Sequence, residues 1–190
     1  MNLKLDKRWQ RLHDSNWTCP SCGSQHQGIF DLSCDKPDFW QRNEEIKDNS
    51  DVLNFSDILT EDFCKIENED FFIRCVLELP IIESNQTFGF GVWSSISKDN
   101  FDLYLKTFDE GQQSHLGPWF GWFSNQLQGF PETINLKCHI YPNDENTRPV
   151  IELEPTDHPL SIAQQKGITF DELLEIYSEN GHDIRKAISE

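Results

Sequence analysis

Between Phe71 and Ile82 the apolar side chains fall on every second residue: Phe71, Ile73, Cys75, Leu77, Leu79 and Ile81, with Arg74 and Glu78 among the positions between. Side chains of an extended chain alternate faces, so this spacing predicts a strand with one face buried. A shorter run, Phe63–Glu67, precedes it across Asn68-Glu69-Asp70, which reads as a hairpin turn. Phe88–Ile96 predicts a third strand, in which Gly89 and Gly91 permit a bulge or a close backbone approach. Further strands are expected at 119–127, 134–141 and 149–154. In the second of these Ile134, Leu136, Cys138 and Ile140 share one face.

At the two ends the period lengthens. Leu5, Trp9 and Leu12 predict a short helix over residues 2–13, and 38–46 after Pro37 predicts a second. Ser97 is placed as an N-cap before Phe101, Tyr104, Leu105 and Phe108, which form one helical stripe. Thr169-x-x-Glu172 is a capping box opening a helix with Phe170, Leu173, Leu174 and Tyr177 on its inner face, and Gly181 ends it. Strands in the middle without regular helical crossovers give an α+β fold, a mainly antiparallel sheet flanked by helices.

Charge changes the picture next. The 190 residues carry 16 Lys and Arg against 33 Asp and Glu, a net charge of −17. Residues 1–48 hold 7 basic and 8 acidic side chains, whereas residues 49–190 hold 9 and 25. The organisation read from this is an N-terminal helix and cysteine segment, 1–48, followed by an acidic α+β domain, 49–190, as one compact unit. So acidic a surface repels nucleic-acid phosphate and anionic lipid, which excludes both as partners, and favours a basic protein. With 14 Phe and 6 Trp there is ample core material. No long apolar run predicts a membrane span and no signal segment is read at the start, so a cytoplasmic location is expected.

The sharpest chemical signal is Cys19-Pro20-Ser21-Cys22-Gly23, followed by His26. Two thiolates separated by two residues can grip one ion from a tight turn, and the glycine lets backbone amides face the sulfurs. His26 is the expected third ligand, with Cys64 or the more local Cys34 as the fourth. Two readings compete with zinc: a metal-free knuckle held by hydrogen bonds, and a redox Cys-x-x-Cys, which would sit at the start of a helix after a strand. A filled site of this kind is structural, because no His-Glu-x-x-His pattern accompanies it. Cys64, Cys75 and Cys138 also fit plain burial on inward strand faces.

Two weaker constellations remain. The aromatic run Trp119-Phe120-Gly121-Trp122-Phe123-Ser124-Asn125, joined by Trp93, is either core or a ligand platform. Gly121 among bulky neighbours implies a close backbone contact. Glu154, Asp157 and His158 either line a cleft with Trp93, Trp122 and Asn125, or serve as a strand face and a helix cap with Asp157 as N-cap before Pro159. No nucleophile elbow, phosphate loop or dinucleotide fingerprint occurs.

Several of these residues together resemble a bacterial family of unknown function, number 2199. They are Cys-Pro-x-Cys-Gly-x-x-His at 19–26, then 62–66, 71–74, 77–81, 91–93, Phe120-Gly121-Trp122, 135–137, and the run from Ile151 to Leu160, Ile-Glu-Leu-Glu-Pro-Thr-Asp-His-Pro-Leu. The resemblance spans roughly residues 17–180. It implies Cys19, Cys22, His26 and Cys64 as the matched set, and it implies no reaction. The function read from the sequence is therefore a zinc-stapled binding module rather than an enzyme, and the alternative is a small-ligand protein or enzyme using the Trp93, Trp122, Asp157 and His158 cleft.

Overall fold

The computed structural model describes residues 3–14, 17–43 and 45–189. The chain is α+β, and its sheet mixes parallel with antiparallel pairs. The strands are β1 (Leu32–Ser33), β2 (Ile58–Leu59), β3 (Phe63–Ile66), β4 (Asp70–Pro80), β5 (Thr87–Ser95), β6 (Trp119–Trp122), β7 (Lys137–Tyr141) and β8 (Val150–Leu153). The helices are α1 (Lys7–Leu12), α2 (Lys98–Thr107), α3 (Pro159–Lys166) and α4 (Phe170–Glu179). The order across the sheet is β1-β5-β4-β8-β7-β6, with β3 on β4 and β2 on β3. Neighbours pair antiparallel except β1 with β5 and β4 with β8, which run parallel.

Strand β4 organises the sheet. Along one edge it pairs with β5 over its whole length, from Phe72 opposite Ser95 to Pro80 opposite Thr87. Its other edge is divided: residues 70–73 take β3, and Val76 and Leu77 take β8. Arg148 sits at this fork and pairs with both Asp62 and Glu61 at 2.9 Å. Beyond β6 the chain turns back onto β5, where Phe123 bridges Ser94 and the Ser124 amide donates to the Trp93 carbonyl at 2.9 Å. That contact closes β5, β4, β8, β7 and β6 into a ring.

The expected alternation on β4 holds. Phe71, Ile73, Cys75, Leu77 and Leu79 enter the main core, while Phe72 faces a second cluster with Trp40, Leu59, Cys64 and Trp93. The closing helix is capped as its sequence demands: the Thr169 hydroxyl accepts from the Glu172 amide and the Glu172 carboxylate accepts from the Thr169 amide. Ser97 caps α2. Gly89 and Gly91 serve a close approach, since a Cβ on Gly89 would lie 2.9 Å from Asp31 and one on Gly91 3.0 Å from Ser33, both on the β1 side.

Four expectations are corrected. The turn between β3 and β4 centres on Glu67 and Asn68, both at positive φ, one residue earlier than expected. The expected N-terminal helix divides into a short 3-10 turn, Leu3–Leu5, and α1, because Asp6 caps α1 by accepting from the Arg8 amide; residue 2 lies outside the described residues. Residues 38–46 form no helix among the described residues. There Asp38 takes its hydrogen bonds from the 124–126 loop and Trp40 turns in to cover Trp93, which fixes an irregular path. The cap of α3 is His158, not Asp157. Among the described residues no helix is long and apolar enough to cross a membrane.

Candidate metal centre

Residues 18–25 form a small hairpin closed by the Thr18–Gln25 bridge. The Cys19 amide donates to the Ser24 carbonyl, and the Gly23 amide returns to the Cys19 carbonyl, both at 2.9 Å. Gly23 sits at φ 73°, a conformation that costs glycine little and lets the turn stay tight. Trp17 anchors the hairpin from below: it is buried and its indole donates to the Leu12 carbonyl at 3.0 Å. His26 then stacks between Trp17 and Phe30, with centroids 5.6 and 4.2 Å away. This packing holds its Nε2 3.2 Å from the Cys22 sulfur.

The other half of the site comes from the far end of the chain. Tyr177, near the end of α4, stacks on Phe30 at 4.1 Å and bonds both its amide and its carbonyl through the hydroxyl. The helix ends at Asn180, Gly181 takes φ 82°, and the His182 amide returns to the Tyr177 carbonyl at 2.7 Å. That turn delivers His182 Nδ1 to within 3.7 Å of the Cys19 sulfur. The ligand atoms of Cys19, Cys22 and His182 all lie within 4.8 Å of one another, so the three could hold a metal ion.

The spacing fits a tetrahedral ion. Zinc about 2.3 Å from sulfur and about 2.1 Å from an imidazole nitrogen sets those donors roughly 3.6 Å apart, close to the observed Cys19–His182 distance. Electrostatics agree with the geometry. The exposed Cys22 thiol is pulled down to about 6, first by the hydrogen bond with His26 and then by the Ser24 amide facing its sulfur. The remaining thiols run the other way: burial pushes Cys64 up to about 12, Cys34 to about 11 and Cys138 to about 11. Cys75, fully buried, is raised as well. All six cysteines are unpaired. In metal-free protein at neutral pH, iodoacetamide should therefore alkylate Cys22 before Cys34, Cys64, Cys75 or Cys138, and the rate should rise through pH 6 as the thiolate forms. Peptide mass mapping that found Cys34 or Cys64 labelled first would contradict the arrangement.

Neither Cys64 nor Cys34 belongs to the group formed by Cys19, Cys22 and His182. Cys64 packs with Trp40, Leu59, Phe72 and Trp93 in the second cluster, and Cys34 lies against both that cluster and the main core. His182 stands where a cysteine was sought. No local motif announces it: it lies 163 residues from Cys19, and only the docking of α4 brings it in. Its one legible signal is its place directly after the Gly181 helix stop.

The expected ligand platform is also dispersed. Trp93 is fully buried. Asn125 uses its whole amide inside the fold: it accepts from the Trp93 amide at 2.7 Å and donates to the Lys36 carbonyl and the Asp38 carboxylate at 2.8 and 3.2 Å. Leaving such buried groups unmet costs about 1–3 kcal/mol each, so this residue is structural. His158 accepts from the Leu160 amide at Nδ1, which leaves Nε2 protonated and donating to the Pro131 carbonyl at 2.6 Å. Both ring nitrogens are thus engaged within the fold. Asp157 is exposed beside that cap. Of the six, Trp122 and Glu154 line one cavity together.

A family model described as an uncharacterised protein conserved in bacteria (DUF2199) matches residues 18–168. Cys19, Cys22 and His26 fall inside the matched span and His182 beyond it. No curated protein and no solved structure matches the chain.

Proposed function

We propose that this chain, which belongs to that family of uncharacterised bacterial proteins, is a zinc-stapled binding module that receives a basic protein partner in the cytoplasm. The observation that carries the staple is the convergence of Cys19, Cys22 and His182. His26, 3.2 Å from Cys22, is the fourth donor in this reading. Two thiolates and two imidazoles fill a tetrahedral ion and leave no open position for a substrate, so the metal's task is to hold the hairpin against the end of α4. The unpaired cysteines accord with a reducing compartment. The net charge of −17 supports the basic partner, since complementary fields speed encounter and set specificity.

Elemental analysis tests the staple. Purified protein should hold about one zinc per chain, and Cys64→Ala should hold as much, because Cys64 lies in the second cluster. Metal content near zero, or its loss in Cys64→Ala, would remove the proposed ligand set. Affinity capture by the zinc-loaded chain tests the partner: a protein of high isoelectric point should bind and elute as salt is raised. Binding indifferent to salt would count against the charge argument.

A further inference from the structure

Two cavities meet at Trp122. The larger, about 490 Å³, is walled by Phe39, Phe72 and Trp122, with Asp70 and Asn135 at its margin. The smaller, about 210 Å³, shares Trp122 and Asn135 and adds Lys137 and Glu154. Trp122 lies on the outward face of β6 and is 41% exposed; Phe39, from the turn after Pro37, is 43% exposed. Phe39 stacks on Phe72 with centroids 5.7 Å apart and planes 20° from parallel. Large aromatic rings are thus left in contact with water on both sides of one cavity.

Of the polar side chains lining the larger cavity, the Ser95 and Ser124 hydroxyls are engaged with the Trp122 backbone. Among the described residues no hydrogen bond or ion pair occupies the Asp70 carboxylate or the Asn135 amide side chain. Asn135 is held at φ 65° by its backbone, whose amide donates to the Phe123 carbonyl at 2.8 Å. No cationic side chain is on this wall. The smaller cavity differs: Lys137 lines it and sits 6.0 Å from the Trp122 centroid, so a cation already serves that side of the ring. Aromatic faces carry negative potential and attract ammonium groups, more strongly where water is partly excluded and a carboxylate stands near. The protein's overall charge concentrates cations at its surface.

We propose that the larger cavity binds an alkylammonium group of the kind a lysine side chain carries. Asp70 pairs with the charge, the Asn135 amide oxygen accepts an N–H, and Phe39, Phe72 and Trp122 enclose the methylenes. This rests on the reading of the protein as a receiver of a basic partner, and names the place where a lysine of that partner seats.

The zinc-loaded full chain is titrated with n-butylammonium, with N-acetyl-lysine methylamide and with 1-butanol. The Trp122 indole and Asn135 side-chain amide signals are followed by nitrogen-edited NMR. The lysine derivative should shift both signals and the alcohol neither, and Asp70→Asn should weaken binding by about tenfold. Asp70 is exposed at the start of β4, so that variant keeps the fold; Trp122→Ala, which removes a wall and the indole signal with it, should abolish the Asn135 response. Shifts with n-butylammonium alone would keep the ammonium site and assign it to free amines instead of a protein. Equal response to the alcohol, an unchanged Asp70→Asn, or shifts confined to other residues would overturn the site. Partner capture is read separately: capture without any amine response removes this subsite alone, and an amine response without capture removes the partner alone.

Discussion

Replacing His182 with alanine should weaken zinc binding by on the order of a hundredfold and remove about 2.7 kcal/mol of stability at saturating metal, since binding to the folded chain alone stabilises it by mass action. The loss concentrates at the end of the chain. His182 is delivered by the turn after α4, and that helix is joined to the hairpin side through Tyr177, Phe30 and His26. An ion bound to Cys19 and Cys22 would pull on the same path from the other side. His182 also meets Phe30 edge-on at 5.6 Å, so part of the effect could be packing. His182→Phe separates the two: it retains a ring but no donor, and should lose zinc as His182→Ala does. Thermal unfolding with and without a chelator reads the result. The chelator should lower the wild type markedly and His182→Phe much less, because the variant's weakened site has less metal stabilisation to lose. A wild-type melting temperature that ignores the chelator would end the staple.

The second large effect is expected at Gly121. It lies in β6 opposite Cys138, at the seam where the ring closes onto β5. A Cβ there would stand 2.4 Å from both the Ser94 hydroxyl and the Ser95 carbonyl, and 3.0 Å from Ile140 Cδ1. The hydroxyl can rotate away, although it would leave the Trp122 carbonyl and the Cys138 sulfur it now faces at 3.2 Å. The carbonyl cannot, because Ser95 is registered against Phe72 in the β4–β5 ladder. The strand itself must move, and overpacking that shifts backbone costs about 3 kcal/mol. Gly121→Ala should therefore lose about that much stability, read as a lower urea midpoint, and loosen the seam. Near-ultraviolet circular dichroism should report it through Trp93 and Trp122, which flank the closure. An unchanged midpoint would mean the seam has slack that the 2.4 Å contacts deny.

Gly121 was legible in the sequence because bulky neighbours around a glycine imply that something comes close. The face of β4, the capping box at Thr169 and the Ser97 cap were legible for a similar reason, since each is encoded within a few residues. Partners across the sheet were not. Alternation says which face is buried and nothing about the neighbouring strand, so the parallel β4–β8 and β1–β5 pairs and the divided edge of β4 emerge only in the structure. Residues 38–46 failed as a helix for a long-range reason: Asp38 and Trp40 answer to the 124–126 loop and to Trp93, not to their own neighbours. The candidate site shows the same division. Cys19, Cys22 and His26 are close in sequence, and the hairpin keeps Cys19 with Cys22 and sets His26 beside Cys22. His182 depends on where α4 docks, and Cys64 packs in the second cluster for reasons equally remote in sequence.

The divided edge of β4 has a mechanical consequence. Because β3 holds only residues 70–73 and β8 holds Val76 and Leu77, the arm made of β2 and β3 hangs from half of one strand, while the ring owns the other half. Arg148, gripping Asp62 and Glu61 at the crotch of the fork, ties the arm to the ring there. Peeling would uncover Phe63 and Cys64 from two different clusters at once. The arm is therefore no free flap: its release carries the cost of opening both clusters together.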